Sequence, residues 1–359
     1  MILKFNKFFE SYSNIELHYS AFDWDDNILH MPTVIHMDKL VNGKWTPTDV
    51  STSEFANVRN DKENYRLIND NPDEAFCEFR DTGPRGKKAF LTDVKNAISG
   101  KKFGPVWDAF VKCLSDGSLF AIITARGHEP ESIRESVEWI IDNILSENDK
   151  FLLYSNCLKH AYLFSHGEEF DRIPKTDNIS RTPLVKLYLD ECGFYGVSSK
   201  SFELEFGKAS ASNPEHAKEL ALDKFIEKCN KLGRKIGAKS VSIGFSDDDP
   251  KNVEHVNKYF KEKSALTNML EPHKVKLNLY KTTDRNILGG ERTKFHESVM
   301  GMESSVMPFS QFNNMKDRMF TNNKEYDKSM RLGSEQLAKV SKEMKSKFRK
   351  QFKNKKSTK

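Results

Sequence analysis

Three apolar runs in this chain stop at side chains able to bind cations or phosphate. Ile15–Phe22 leads into Asp23-Trp-Asp-Asp26, Leu119–Ile123 into Thr124, and Ser240–Phe245 into Asp247-Asp-Asp249. If these runs are neighbouring parallel strands, their carboxyl ends meet in one small volume, the edge where open parallel sheets bind ligands. Converging carboxylates repel one another and are costly to bury uncompensated. A bound cation resolves the conflict, and an all-oxygen ligand set with room for water suits Mg²⁺ better than zinc. Such a site also suits a phosphoryl group. The metal neutralises its oxygens while a carboxylate attacks in line and becomes an aspartyl-phosphate.

Elements that could position these ends are legible around them. The three runs have the length and apolarity of buried strands. Helical patterns occupy about 88–99 and 105–116, then Pro130–Leu145, where Ile133, Val137, Ile140, Ile141 and Ile144 share one side. Thr182-Pro183 and Asn213-Pro214 each open a helix, the second patterned by Ala217, Leu220, Ala221, Lys224, Phe225 and Cys229. Another helix starts near Pro250. Phe151–Tyr154 reads as a further strand and Val275–Tyr280 as the last one. Alternating strands and helices imply an α/β fold with a parallel sheet and right-handed crossovers. Asn42-Gly43 supplies the two positive-φ positions of a type I′ turn, so 33–50 reads as a β-hairpin. Residues 51–86 are polar and weakly periodic.

The ordered set of motifs resembles that of the haloacid dehalogenase-like hydrolases. The hydrophobic strand followed by Asp23-x-Asp25 and, after Asn27, Ile28-Leu29 is similar to the first motif. Ile122-Ile-Thr124-Ala-Arg126-Gly127 is similar to the second, Lys218 in the first turn of the helix from Pro214 to the third, and Val241–Asp249 to the acidic fourth. The resemblance spans residues 15 to about 260. It implies a Rossmann-like parallel sheet with helices on both faces and a cap-like insert after the first motif. It also implies a Mg²⁺-dependent phosphatase. Asp23 would be nucleophile and metal ligand. Asp25 would be general acid and base, its backbone carbonyl also ligating the metal. Thr124 would donate to a phosphoryl oxygen, Lys218 would offset the negative charge, and Asp247 with Asp248 would hold the metal. Asn27 and Arg126 would contact substrate. Two positions depart from the pattern: Asn27 stands where Thr or Val is usual, and Asp26 where Gly is common. Lys208, just before the same helix, is the alternative to Lys218.

The 99 positions from Asp25 to Thr124 exceed what one crossover needs, so a cap-like insert is expected over 30–103. The core is then expected over 1–29 and 104–283, with a smaller insert at about 159–212. Residues 284–333 read as an extended or loosely packed segment, and 334–359 as a basic tail. Within it, Leu337, Val340, Met344, Phe348 and Phe352 trace an amphipathic helix. A capped site favours a small phosphorylated molecule or a nucleotide, and a polynucleotide 3′-phosphate is also compatible. The alternative is the same fold used as a structural or interaction module, virion-associated if the source is a tailed bacteriophage. The opening Leu3-Lys-Phe-Asn-Lys-Phe-Phe-Glu10 resembles the amphipathic N-termini of tailed-phage proteins.

Charge is unevenly placed. The net charge is +5, but residues 335–359 hold ten Lys/Arg against two Glu. The basic pI therefore describes the tail, which makes polyanion contact through 334–359 an expectation and gives no ground for reading the body as a general nucleic-acid binder. Five cysteines without CxxC spacing fit a reducing compartment and exclude a disulfide framework or zinc site. With no secretory signal and no long apolar run, a cytoplasmic protein without a membrane span is expected. His30, His36, His160 and His166 read as surface or loop residues, and Asp249 as a helix cap.

Overall fold

The computed structural model describes residues 16–164, 181–208, 213–235, 238–267, 275–282, 293–298 and 302–308. Ten strands fall among them: β1 (Glu16–Phe22), β2 (Ile35–Val41), β3 (Lys44–Val50), β4 (Tyr65–Leu67), β5 (Phe120–Thr124), β6 (Gly193–Gly196), β7 (Ser240–Asp247), β8 (Val275–Lys281), β9 (Thr293–Ser298) and β10 (Met302–Pro308). Seven form one sheet in the order β10-β9-β8-β7-β1-β5-β6. β8, β7, β1, β5 and β6 run parallel, and β9 joins antiparallel to β8. Helices flank this sheet, so the α/β fold is Rossmann-like.

β5 is buried at every position, as a central strand covered on both faces must be. From β1 the chain builds outward through β5 and β6, then returns to the other side of β1 to lay down β7 and β8. The winding direction therefore reverses between β1 and β7. At such a switch point the flanking loops part and leave a crevice at the strand ends. Asp23 and Asp247 stand on either side of it.

Trp24 anchors the chain between Asp23 and Asp25 in the core. Side chains alternate at an extended strand end. Trp24 is wholly buried against Phe90 and Phe110, with ring centroids 5.1 and 6.2 Å away. Removing that indole from water is worth on the order of 4 kcal/mol.

The expected hairpin is present: β2 pairs with β3 across Asn42 (φ 50°) and Gly43 (φ 75°). β4 adds to β2, making a three-stranded antiparallel sheet. The helix Thr52–Val58 follows, opened by a Ser51/Glu54 capping box. Ile35, Met37, Val50, Ala75 and Phe79 give this insert a small core of its own.

Several expectations are corrected. The helix Ala89–Ser99 belongs to the main body, because Phe90, Val94 and Ala97 join its core. Phe151–Tyr154 is not a strand but part of the helix Glu147–Phe164. The segment expected as a second insert contains β6, which pairs with β5. β8 is not the last strand, since β9 and β10 lie within 284–333. The N-terminal residues 1–15 and the tail 334–359 lie outside the described residues. The chain divides at Pro308 into two units, the second beyond the described elements apart from Pro308 itself. Among the described residues, no helix is long and apolar enough to cross a membrane.

Candidate functional site

Asp23 continues the β1–β7 pairing by one residue, its amide donating to the Ser246 carbonyl at 2.9 Å. The helix Pro214–Lys235 packs against β1, β5 and β7. From its first turn Lys218 reaches the carboxyl ends of β1 and β7. Its ammonium donates to Asp23 Oδ1 at 2.9 Å and to Asp247 Oδ2 at 2.7 Å. All three groups are buried. Lys208 is exposed, so burial decides between the two lysines in favour of Lys218.

Asp248 completes the cluster. Asp23, Asp247 and Asp248 each offer an oxygen, and these atoms lie within 4.8 Å of one another. Burial most of all, with Asp247 and Asp25, pushes Asp23 up to about 8 against the opposing pull of Lys218. Asp248 is raised by burial first, then by Asp247, Asp23 and Asp26. Burial works against the Lys218 charge, but Asp23 and Asp247 outweigh it and raise the ammonium above an ordinary lysine. With all three carboxyl groups ionised, the one ammonium would leave two negative charges, which a divalent cation would balance. The donors are all oxygen, the set preferred by hard cations such as Mg²⁺ or Ca²⁺.

Asp247 is held from its far side as well. Asn252 donates to both of its oxygens, at 3.0 and 3.1 Å, and the Asp249 amide donates to Oδ1 at 2.9 Å. Asp249 caps the helix Pro250–Thr267 as expected, accepting from the Lys251 amide at 3.0 Å.

Asp25 lies beside this cluster and is engaged differently. Both its oxygens accept from Arg126, Nε and an Nη, at 2.7 Å each. The Thr124 hydroxyl is 3.4 Å from Asp25 Oδ2. Arg126, expected on substrate, is instead buried with its guanidinium committed to Asp25. Asn27, also expected on substrate, is buried too. Its amide nitrogen donates to the Asp23 and Ser246 carbonyls and the Ser246 hydroxyl, and its oxygen accepts from Thr282. It ties the turn after β1 to β7 and to the end of β8. The turn itself needs Asp26 at φ 54°, a left-handed conformation that Asp tolerates and Gly adopts freely.

The insert touches the loops around the site at three places. Thr52 donates to Asp26 at 2.6 Å, Arg59 pairs with Asp249 at 2.7 Å, and Phe79 lies under the Arg126 guanidinium, 4.4 Å from its carbon. His30 pairs with Asp26 and His36 with Asp49, each at 2.7 Å; the side chains of His160 and His166 lie outside the described residues. Asn252, Thr33, Asp93 and Arg85 escaped the sequence reading. Only Asn252 carried a signal, as a polar residue in the first turn of a helix next to the acidic run. The five cysteines are all free thiols.

No protein family, curated protein or solved structure matches this chain.

Proposed function

We propose that this chain is a divalent-cation-dependent phosphoryl hydrolase of the haloacid dehalogenase-like kind, working through an aspartyl-phosphate on Asp23. The observation that carries this reading is the Lys218 ammonium shared between Asp23 and Asp247, with Asp248 within ligand-bridging distance. A scaffold gains little from burying such a set, since breaking or baring a buried charge costs several kcal/mol. A phosphoryl-transfer site needs it.

In this reading the Asp23 carboxylate attacks the phosphorus of a phosphate monoester, and the ester oxygen departs with a proton from Asp25. A water then attacks the aspartyl-phosphate and returns a proton to Asp25. Inorganic phosphate leaves and both carboxyl groups regain their starting forms. Lys218 holds Asp23 in place and offsets the charge it shares with the phosphoryl group. Thr124 would donate its hydroxyl to a phosphoryl oxygen. Mg²⁺, held by Asp23, Asp247, Asp248 and the Asp25 carbonyl, would neutralise phosphoryl oxygens. The insert lying against three site loops supports a small phosphorylated substrate, nucleotides included.

A second reading has its own observation. Asp25 has both oxygens in an ion pair and Asn27 is turned inward, which suits a fold kept as a structural or interaction module. Phosphate release from p-nitrophenyl phosphate, nucleotides, sugar phosphates and a 3′-phosphorylated oligonucleotide separates the two. Wild type with Mg²⁺ should turn over at least one of them. Asp23→Asn should lose about a thousandfold or more, as expected for a removed nucleophile. Wild type and variant equally inert across the panel would leave the module reading standing.

A further inference from the structure

The Asp25–Arg126 pair is the buried inner end of a polar chain that reaches out into the insert. Arg126 is held through Nε and one Nη, while its other Nη is buried without a hydrogen-bond partner. Its side chain is 1% exposed. It forks onto both Asp25 oxygens at 2.7 Å, and the same Nη that meets Oδ1 donates to Thr33 Oγ1 at 2.9 Å. Its carbon lies 4.4 Å from the Phe79 ring centroid and 5.5 Å from that of Phe90. The Thr33 hydroxyl is fully used, accepting from Arg126 and donating to Asp93 Oδ2 at 2.6 Å. Asp93 is clamped by Arg85, which also donates to Glu78 at 3.1 Å. Glu78 lies 3.7 Å from His36 on β2.

A single carboxylate on a flexible strand end has several rotamers open to it. A bidentate guanidinium leaves one, because the planar fork fixes the carboxylate plane as well as its position. We infer that Arg126 is a positioning residue for Asp25: it sets the carboxylate orientation from which Asp25 exchanges protons with the leaving group and with water. Thr33 holds Arg126 in that register. The inference rests on the phosphoryl-hydrolase reading and deepens it. Arg126 acts through Asp25 and does not contact the phosphoryl group, so its loss belongs in turnover and not in substrate affinity.

The experiment is steady-state hydrolysis of p-nitrophenyl phosphate by wild type, Arg126→Ala, Arg126→Lys and Thr33→Val. Removing Arg126 should lower kcat by about a hundredfold, the usual scale of a misplaced acid–base group, and leave KM within about twofold. Lysine has the charge but not the fork, so Arg126→Lys should recover less than a tenth of the lost rate. Thr33→Val nearly keeps shape while deleting the hydroxyl that accepts from Arg126 and donates to Asp93. It should lower kcat by about tenfold at unchanged KM, and it serves if Arg126→Ala does not fold. An unchanged kcat in Arg126→Lys and Thr33→Val would overturn the inference while leaving the hydrolase reading intact. So would a loss carried by KM, which would make Arg126 a substrate contact. An inert wild type would overturn the hydrolase reading, and this inference with it.

Discussion

Asp23 sits where burial and neighbouring carboxylates work against its charge, and the consequence has a definite sign. Its carboxyl has a usual value of 3.8 and is pushed up to about 8 in the fold. Below about pH 4 both states hold the proton. As pH rises toward 8 the unfolded chain ionises first, so the stability contributed by the neutral carboxyl is progressively lost. A divalent cation binds the ionised form and reverses that loss. The melting temperature gained on replacing EDTA by Mg²⁺ should therefore be larger at pH 8 than at pH 5. In Asp23→Asn the gain should be smaller and less dependent on pH, the remaining dependence coming from Asp248. Equal gains at both pH values in wild type would contradict the assignment of Asp23 to a cation. Why Asp23, Asp25, Thr124 and Asp247 were legible is a matter of residue type at strand ends, where chemistry and position coincide. Lys218 needed the fold, since only burial separates it from Lys208. Arg126 and Asn27 were legible as polar groups beside the site, but not as groups turned inward. The turn at Asp26 closes so tightly that their nearest partners are the protein's own carboxylate and carbonyls. Thr33 and Asp93 are 60 positions apart, and no spacing rule joins them.

At the scale of elements, the turn after β1 depends on a close approach by another segment. Gly104 donates its amide to the Ile28 carbonyl at 2.8 Å, and a Cβ at Gly104 would come within 2.3 Å of the Asn27 carbonyl oxygen. Backbone cannot yield there without shifting the turn that carries Asp25. Gly104→Ala should therefore destabilise the fold by about 1–3 kcal/mol, read as a lower melting temperature. It should also lower phosphatase turnover at any temperature where the variant is folded. A variant with wild-type stability would show that the turn has slack. The hairpin was legible because Asn-Gly demands a particular turn. β6 was not, because Gly-Phe-Tyr-Gly is too short to show a period. Phe151–Tyr154 misled because a four-residue apolar run fits a strand and a buried helix segment equally. Phe151 is in fact well exposed and Leu153 buried, the signature of one face of a helix.

At the scale of the whole molecule, the insert has its own small core. It meets the site loops through part-exposed polar pairs such as Arg59–Asp249, each worth no more than about 1 kcal/mol. Its seat is therefore shallow where it faces Asp249 and deep where it faces Arg126, which ties its position to Asp25 more than to the Asp23–Asp247–Asp248 cluster. Charge is partitioned as sharply as packing. Residues 335–359 carry ten basic against two acidic side chains, while the whole chain is only +5, so the remainder is net negative. A negative body repels a polyanion and a dense basic tail attracts it, releasing counterions as it binds. Full-length protein should bind a heparin or DNA column at low salt and elute as salt rises. The chain ending at residue 333 should flow through at every salt concentration while keeping the same turnover of p-nitrophenyl phosphate. Equal retention of the two forms would assign the tail's charge to solubility alone. Lost turnover in the shorter chain would place the tail within reach of the site. Retention lost with turnover kept would show that polyanion binding and hydrolysis are separable functions carried by different segments.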